Sequence, residues 1–158
     1  MIFEELITTV YPNRSHEIIK QIISVLIHAY CRKYHKLYFP IGLSASEHVA
    51  IDLDISYAFD TAKSFPDLSV EVVFSSGDSV NIGKYYSLEY REVWLWHNER
   101  IKFYHLAFID DRHTYIEAEF SHCLKNLSSE FLSRFINRGL TESPLTIEAD
   151  FVARLDYN

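Results

Sequence analysis

The chain has 158 residues, of which 48% are hydrophobic, and a formal net charge of −7 at neutral pH. This length allows one sizeable core but not two ordinary domains, so we expect residues 1–158 to form a single domain. The apolar fraction, with only 4 glycines and 4 prolines, excludes a mainly disordered chain. The acidic charge disfavours polyanion binding without a local basic patch, because affinity for nucleic acid depends largely on lysine and arginine.

The amino-terminal sequence and the cysteines bear on the cellular compartment. The segment MIFEELITTVYPNRSHE lacks the basic and apolar regions of a signal peptide, and Cys31 and Cys123 have no CxxC spacing. We therefore expect a soluble protein of the reducing cytoplasm. Charged residues interrupt the apolar stretches well before the roughly 20 residues that cross a bilayer, so we expect no membrane segment.

The first part of the chain predicts a long helix followed by a short strand. Apolar residues recur at helical spacing at Ile18, Ile22, Val25, Leu26 and Ala29. Ser15 is a suitable N-cap, so the helix is predicted from Ser15 to about His35. A strand is then expected over residues 37–43.

Two consecutive strands are predicted to carry acidic faces. The segment EHVAIDLDISYAF alternates in polarity and places Asp52 and Asp54 on one face. The next segment, FPDLSVEVVF, is rich in β-branched and aromatic residues and places Asp67 and Glu71 on one face. These acids face water, a partner or a metal, and the first alternative is typical of antiparallel strands with one solvated face.

The remainder of the chain adds helices and three more strands. A helix is predicted to end near residue 89, and REVWLWHNERIKFYHLAFI predicts two strands joined at Asn98 and Glu99. The segment HTYIEAEFS predicts a further alternating strand. Helical spacing returns from Ser128 to about Gly139 and from Ile147 to Leu155. This order predicts a mixed α/β sandwich with a central sheet.

Four segments together resemble a known family: IDLDISYAF, PDLSVEVVFSSG, KYYSLEYREVWLW and YHL. They are similar to the Uma family of restriction endonucleases, within the PD-(D/E)XK nuclease superfamily, over roughly residues 39–106. The resemblance implies an α/β fold with a restriction-endonuclease-like mixed central sheet flanked by helices. It also implies metal-dependent hydrolysis of phosphodiester bonds in DNA.

The resemblance implies a site built from two acids. Asp54 matches the first acid of the family and Glu71 the second, and the backbone carbonyl of Val72 is a further candidate ligand. Hard cations such as Mg²⁺ or Mn²⁺ prefer these oxygen donors and activate phosphate and water. Three more acids are supporting candidates: Asp52, Asp67 and Glu17. A first-turn glutamate such as Glu17 is more often a partner of the helix dipole.

The catalytic lysine of the family departs from its usual position. The family places it four residues before the tyrosine that is here Tyr85, and that position is Asn81. Lys84 lies three residues further on, near the same helix face, and is the candidate replacement. The usual Gly-Val that follows is here Glu89-Tyr90.

Two functions therefore compete. The first is a metal-dependent DNA endonuclease that acts through Asp54, Glu71 and Lys84, as a homodimer that cleaves both strands by twofold symmetry. The second is a catalytically inactive nuclease-fold protein that serves as a binding or assembly module. The eight histidines show no zinc-binding spacing, and Trp94 and Trp96 are interpreted as sheet core.

Overall fold

The computed structural model describes residues 2–40, 54–73 and 90–155. These residues form a mixed α/β fold with three helices and one six-stranded sheet. In chain order the elements are α1 (Ile2–Tyr34), β1 (Leu37–Tyr38), β2 (Ile55–Phe59), β3 (Leu68–Val72), β4 (Glu92–His97), β5 (Arg100–Ile109), β6 (Arg112–Ala118), α2 (Ser129–Arg138) and α3 (Pro144–Leu155). Of the strand predicted over residues 37–43, β1 covers only Leu37–Tyr38, and residues 41–43 lie outside the described residues. The start of the second predicted strand and the predicted helix ending near residue 89 also lie outside them.

The sheet has the strand order β1-β2-β3-β4-β5-β6, and its strands are antiparallel except for the parallel pair β3 and β4. A parallel pair needs a long connection, which residues 73–91 supply. Two-residue turns at Asn98–Glu99 and at Asp110–Asp111 join the last three strands, and all four turn residues have positive φ. This is the geometry of tight hairpin turns. The prediction of two strands joined at Asn98 and Glu99 is confirmed.

The main core lies on one face of this sheet. Trp94 stacks on Phe103 with ring centroids 4.5 Å apart, and Ser24 of α1 hydrogen-bonds the Tyr57 hydroxyl at 3.1 Å. Apolar side chains from all three helices join the same cluster: Ile23, Leu26, Leu132, Phe135, Ile147 and Phe151. Trp94 and Trp96 are both buried, so their assignment to the core is confirmed.

The central part of the opposite face of β3 is also buried. Ser69 is fully buried and hydrogen-bonds Ser56 across the strand pair at 3.0 Å. Val93 and Leu95 are buried on the same face of β4. The interpretation that this polar face of β3 meets water therefore fails for its central part.

The amino-terminal helix is longer than the sequence pattern suggested. The N-cap predicted at Ser15 is wrong, because α1 runs from Ile2 to Tyr34. The apolar spacing extends upstream through Leu6 and Val10, which favours a continuous helix over a start at Ser15. Within the described part of the chain, no helix has both the length and the apolar character of a membrane span.

The helix predicted at Ser128 has the cap that its sequence suggested. The Ser128 side chain accepts a hydrogen bond from the Phe131 amide at 3.1 Å, and α2 ends at Arg138 with Gly139 as its C-cap. A Cβ at Gly139 would collide with Ile22 of α1, so this close approach of α2 to α1 requires glycine. The predicted last helix is also present, and it begins slightly earlier, at Pro144.

Candidate functional site

Two of the predicted acids lie on neighbouring strands at one end of the sheet. Ile55 pairs with Val70 in the antiparallel ladder of β2 and β3, and continuing that register by one residue sets Asp54 opposite Glu71. Directly opposite residues have side chains on the same face, with Cβ atoms about 4.5–5.5 Å apart. The register thus places the backbones of the two acids predicted to hold a metal at facing positions of neighbouring strands.

Asp54 is held at the end of β3 by a backbone contact. The Val72 amide donates a hydrogen bond of 2.7 Å to Oδ2 of Asp54, and the Asp54 side chain is 21% exposed. A carboxylate oxygen has more than one lone pair, so this bond leaves acceptor capacity on Asp54. The carboxylate is therefore fixed in position yet still open to another ligand.

His16 of α1 contacts the same two groups. Its Nε2 lies 2.9 Å from the Val72 carbonyl oxygen and 3.6 Å from Oδ2 of Asp54. Because a carbonyl only accepts, Nε2 carries the proton when it hydrogen-bonds Val72. Sequence reasoning missed His16, since no spacing motif marks it and 56 residues separate it from Val72.

Glu17 approaches this site only through its neighbour. Its Oε1 lies 3.5 Å from Nδ1 of His16 and 4.0 Å from Nζ of Lys20, and its side chain is 57% exposed. Because α1 begins at Ile2, Glu17 is not in the first turn, and the helix dipole does not explain its position. Glu17 is thus a partner of His16.

The donor atoms at this end of the sheet are carboxylate and carbonyl oxygens, the type that a hard cation prefers. Mg²⁺ commonly takes one or two protein carboxylates, completes its shell with water, and forms bonds of about 2.0–2.1 Å. Asp54, Glu71 and the Val72 carbonyl are donors of this type, and His16 and Val72 help to line a cavity of about 310 Å³. Within the described ranges, no three His, Cys, Asp or Glu side chains converge as a metal-binding group.

The other predicted site residues are not brought to this point. Asp67 lies four residues before Glu71, about 13 Å along the strand at roughly 3.3 Å per residue. Its Oδ2 accepts hydrogen bonds from the Phe59 amide at 2.8 Å and from Lys63 Nζ at 2.6 Å. The supporting role predicted for Asp67 beside Glu71 is therefore wrong. Asp52, Asn81 and Lys84 lie outside the described residues.

A second polar site, which we call the charged cleft, lies at the opposite end of the sheet. It has a volume of about 530 Å³. Its charged and imidazole side chains include Lys63, Asp67, Arg91, Glu92, His105 and His122. Sequence reasoning did not identify this cleft, because its residues come from separate loops and strands and form no local motif.

Glu92 is the most deeply buried acid of the cleft, with 1% of its surface exposed. Its Oε2 accepts hydrogen bonds from Trp94 Nε1 at 2.7 Å and from Ser121 Oγ at 2.6 Å, and its Oε1 accepts one from the His122 amide at 2.6 Å. A buried carboxylate needs such donors to offset its lost hydration. The sequence signal for Glu92 was an acid at the start of an otherwise apolar strand.

Two histidines lie above Glu92. The rings of His105 and His122 stack with centroids 4.0 Å apart. Burial, and then the nearby positive charge of His122, lower the pKa of His105, while Glu92 opposes this shift.

Neither protein-family models, nor curated proteins, nor solved structures give a match to this chain.

Proposed function

We propose that the protein is a metal-dependent nuclease with a restriction-endonuclease-like core that hydrolyses phosphodiester bonds in DNA. The observation that carries the proposal is the register that places Asp54 opposite Glu71, together with the hydrogen bond from the Val72 amide to Asp54. The sequence resemblance, which selected these two acids, also supports it. The proposal also places the protein in the cytoplasm, where DNA is accessible.

In this proposal each group has a definite role. Asp54 and Glu71 hold Mg²⁺ or Mn²⁺, and the Val72 carbonyl is a third oxygen ligand. Such a cation, when bound, polarises a phosphate and activates water. The Val72 amide orients the Asp54 carboxylate through its 2.7 Å hydrogen bond, so the ligand is preorganised.

One contact favours the second candidate function, an inactive nuclease-fold protein that binds or assembles with a partner. The Nε2–H group of His16 points at the Val72 carbonyl, where a cation would otherwise bind. A proton at that position competes with a metal for the same oxygen. Without its proton, Nε2 would instead be a nitrogen ligand, because its 2.9 and 3.6 Å separations from the two oxygens suit neighbouring ligands of one cation.

Two substitutions on the segment that carries the lysine test the nuclease proposal. We expect Asn81→Lys to raise Mn²⁺-dependent plasmid cleavage, since one preorganised electrostatic contact is worth about 10²–10³ in rate. If Lys84 has taken over the lysine's role, Lys84→Ala abolishes the cleavage of the parent protein. Plasmid nicking at equal protein concentration measures both effects. Lys125→Ala is the control for Lys84→Ala, because it also removes one positive charge. Cleavage that neither substitution nor the loss of Glu71 alters would contradict the proposal.

The nuclease proposal includes a homodimer, because two copies related by twofold symmetry can cut both strands of a duplex. Exposed apolar side chains near the β5–β6 hairpin support it: Phe108, Ile109, Ile116 and Phe120. We expect light scattering at micromolar concentration to give twice the chain mass of 18.6 kDa. A mass near that of one chain would exclude the dimer.

A further inference from the structure

The hydrogen-bonding groups of the charged cleft are unevenly used. Oδ2 of Asp67 already accepts two hydrogen bonds, and the carboxylate of Glu92 accepts three. By contrast, Lys63 donates one hydrogen bond from an ammonium that has three N–H groups. In the part of the chain that the structure describes, Arg91 has only a 3.8 Å ion pair with Asp67, and its side chain is 79% exposed. The spare capacity of the cleft is therefore in its donors.

A ligand that accepts hydrogen bonds from the remaining N–H groups of Lys63 and Arg91 must carry acceptor atoms and negative charge. Lys63 and Arg91 approach opposite oxygens of the same Asp67 carboxylate, so two positive charges converge on one negative charge. His105 and His122 add imidazole N–H groups from the other side of the cleft. A phosphate group presents acceptor oxygens in several directions and suits donors that converge from different elements.

We propose that the charged cleft binds a small molecule through its phosphate group. The cleft volume of about 530 Å³ falls within the range typical of small-ligand sites, about 300–1,000 Å³. The net charge of −7 opposes a long polyanion more than it opposes one phosphate group, because the repulsion acts along the whole polymer. A free phosphate monoester is therefore the expected ligand. The experiment must exclude nucleic acid as the ligand. The proposal is independent of the nuclease function.

Acidic pH should strengthen this binding. Around His105 and His122 the cleft places the carboxylates of Glu92, Asp67 and Asp60, the cations Lys63 and Arg91, and the side chains of His35 and Cys123. A bound anion favours the protonated imidazole of His105, so its affinity rises as pH falls through the pKa of that residue. Burial lowers the pKa of His105, so this gain appears on the acidic side of the ordinary histidine range.

Calorimetry with inorganic phosphate and with AMP tests the proposal directly. We expect both to bind the parent protein and to bind Arg91→Met and Lys63→Met about tenfold more weakly, which corresponds to one charge-assisted hydrogen bond. Lys102→Met is the matched control, because it also removes one cation, at an exposed side chain outside the cleft. Sulfate, whose charge is constant between pH 5 and 8, should bind more tightly at pH 6 than at pH 8.

The outcomes separate the alternatives. Lys63→Met removes the ion-pair partner of the buried Asp67, so the folding of this variant must be checked by thermal melting. If Lys63→Met unfolds, Arg91→Met still tests the proposal, because the Arg91 side chain is exposed. Failure of both phosphate and AMP to bind overturns the proposal. Binding of duplex DNA through Arg91 without binding of AMP also overturns it. Equal weakening in the control variant would show only a general effect of charge.

Discussion

Glu71→Gln and Asp54→Asn should each abolish the heat of Mn²⁺ and Mg²⁺ binding and lower DNA cleavage by at least about 10²–10³. Each substitution removes one negative charge from the pair that β2 and β3 hold opposite each other, while it preserves side-chain size. A hard cation bound by only one or two protein carboxylates cannot lose one without a large loss of affinity. Calorimetric titration and plasmid cleavage measure the two effects independently.

Glu117→Gln provides the matched control for this experiment. Glu117 is an exposed acid on β6, where Lys102 lies 3.8 Å from it, and its neutralisation changes the net charge equally. It should leave both metal binding and cleavage unchanged. Metal binding that persists undiminished in both Asp54→Asn and Glu71→Gln would show that the acids are structural.

His16→Ala extends the same titration to the residue that the sequence did not reveal. Imidazole nitrogen favours Mn²⁺ over Mg²⁺, so if His16 is a ligand, the substitution should weaken Mn²⁺ binding more than Mg²⁺ binding. If the His16 proton competes with the metal at Val72, both cations should bind more tightly to the variant. The second result would support the inactive module.

Glu92→Ala should reduce the free energy of unfolding by about 3–5 kcal/mol, the range for breaking a buried charged network. The substitution leaves the donors of Trp94, Ser121 and the His122 amide without the carboxylate that they share in a site that is 1% exposed. Each buried donor left unsatisfied costs about 1–3 kcal/mol, and these costs overlap because the donors share one acceptor. Chemical denaturation followed by tryptophan fluorescence measures the change.

The control is again an exposed acid of the same sheet. Glu117→Ala removes an equal charge from a surface pair and should change stability by less than about 1 kcal/mol. Glu92→Gln should fall between the two, because its amide keeps one acceptor oxygen but turns a donor toward neighbouring donors. A loss below about 1 kcal/mol in Glu92→Ala would mean that water replaces the carboxylate.

Local sequence patterns were sufficient to predict most element types. Alternation predicted β6, helical spacing predicted α2 and α3, and Asn98–Glu99 marked the hairpin turn correctly. These features depend on residues close in sequence, where side-chain period and turn chemistry decide the structure. The resemblance also selected Asp54 and Glu71, which the structure places directly before β2 and within β3.

The contacts between distant elements were not accessible from sequence. Period-two alternation predicted one face for Asp67 and Glu71, but it does not report that Asp67 precedes β3 and contacts Phe59 and Lys63. The approach of His16 to Asp54 depends on how α1 packs across the sheet. The charged cleft depends on the strand order for the same reason: Glu92 of β4 lies opposite His105 of β5 only once those strands pair.

The packing of α1 against α3 has a consequence for how the protein folds during synthesis. Arg32 of α1 forms an ion pair with Glu148 of α3, 116 residues later, and both helices contribute to the same apolar cluster. Contacts of such long sequence separation form slowly, because a large loop must close first. While the ribosome is still producing the intervening strands, the apolar stripe of α1 lacks its final cover. We therefore expect the nascent chain to pass through a stage at which the apolar stripe of α1 is exposed and prone to aggregation.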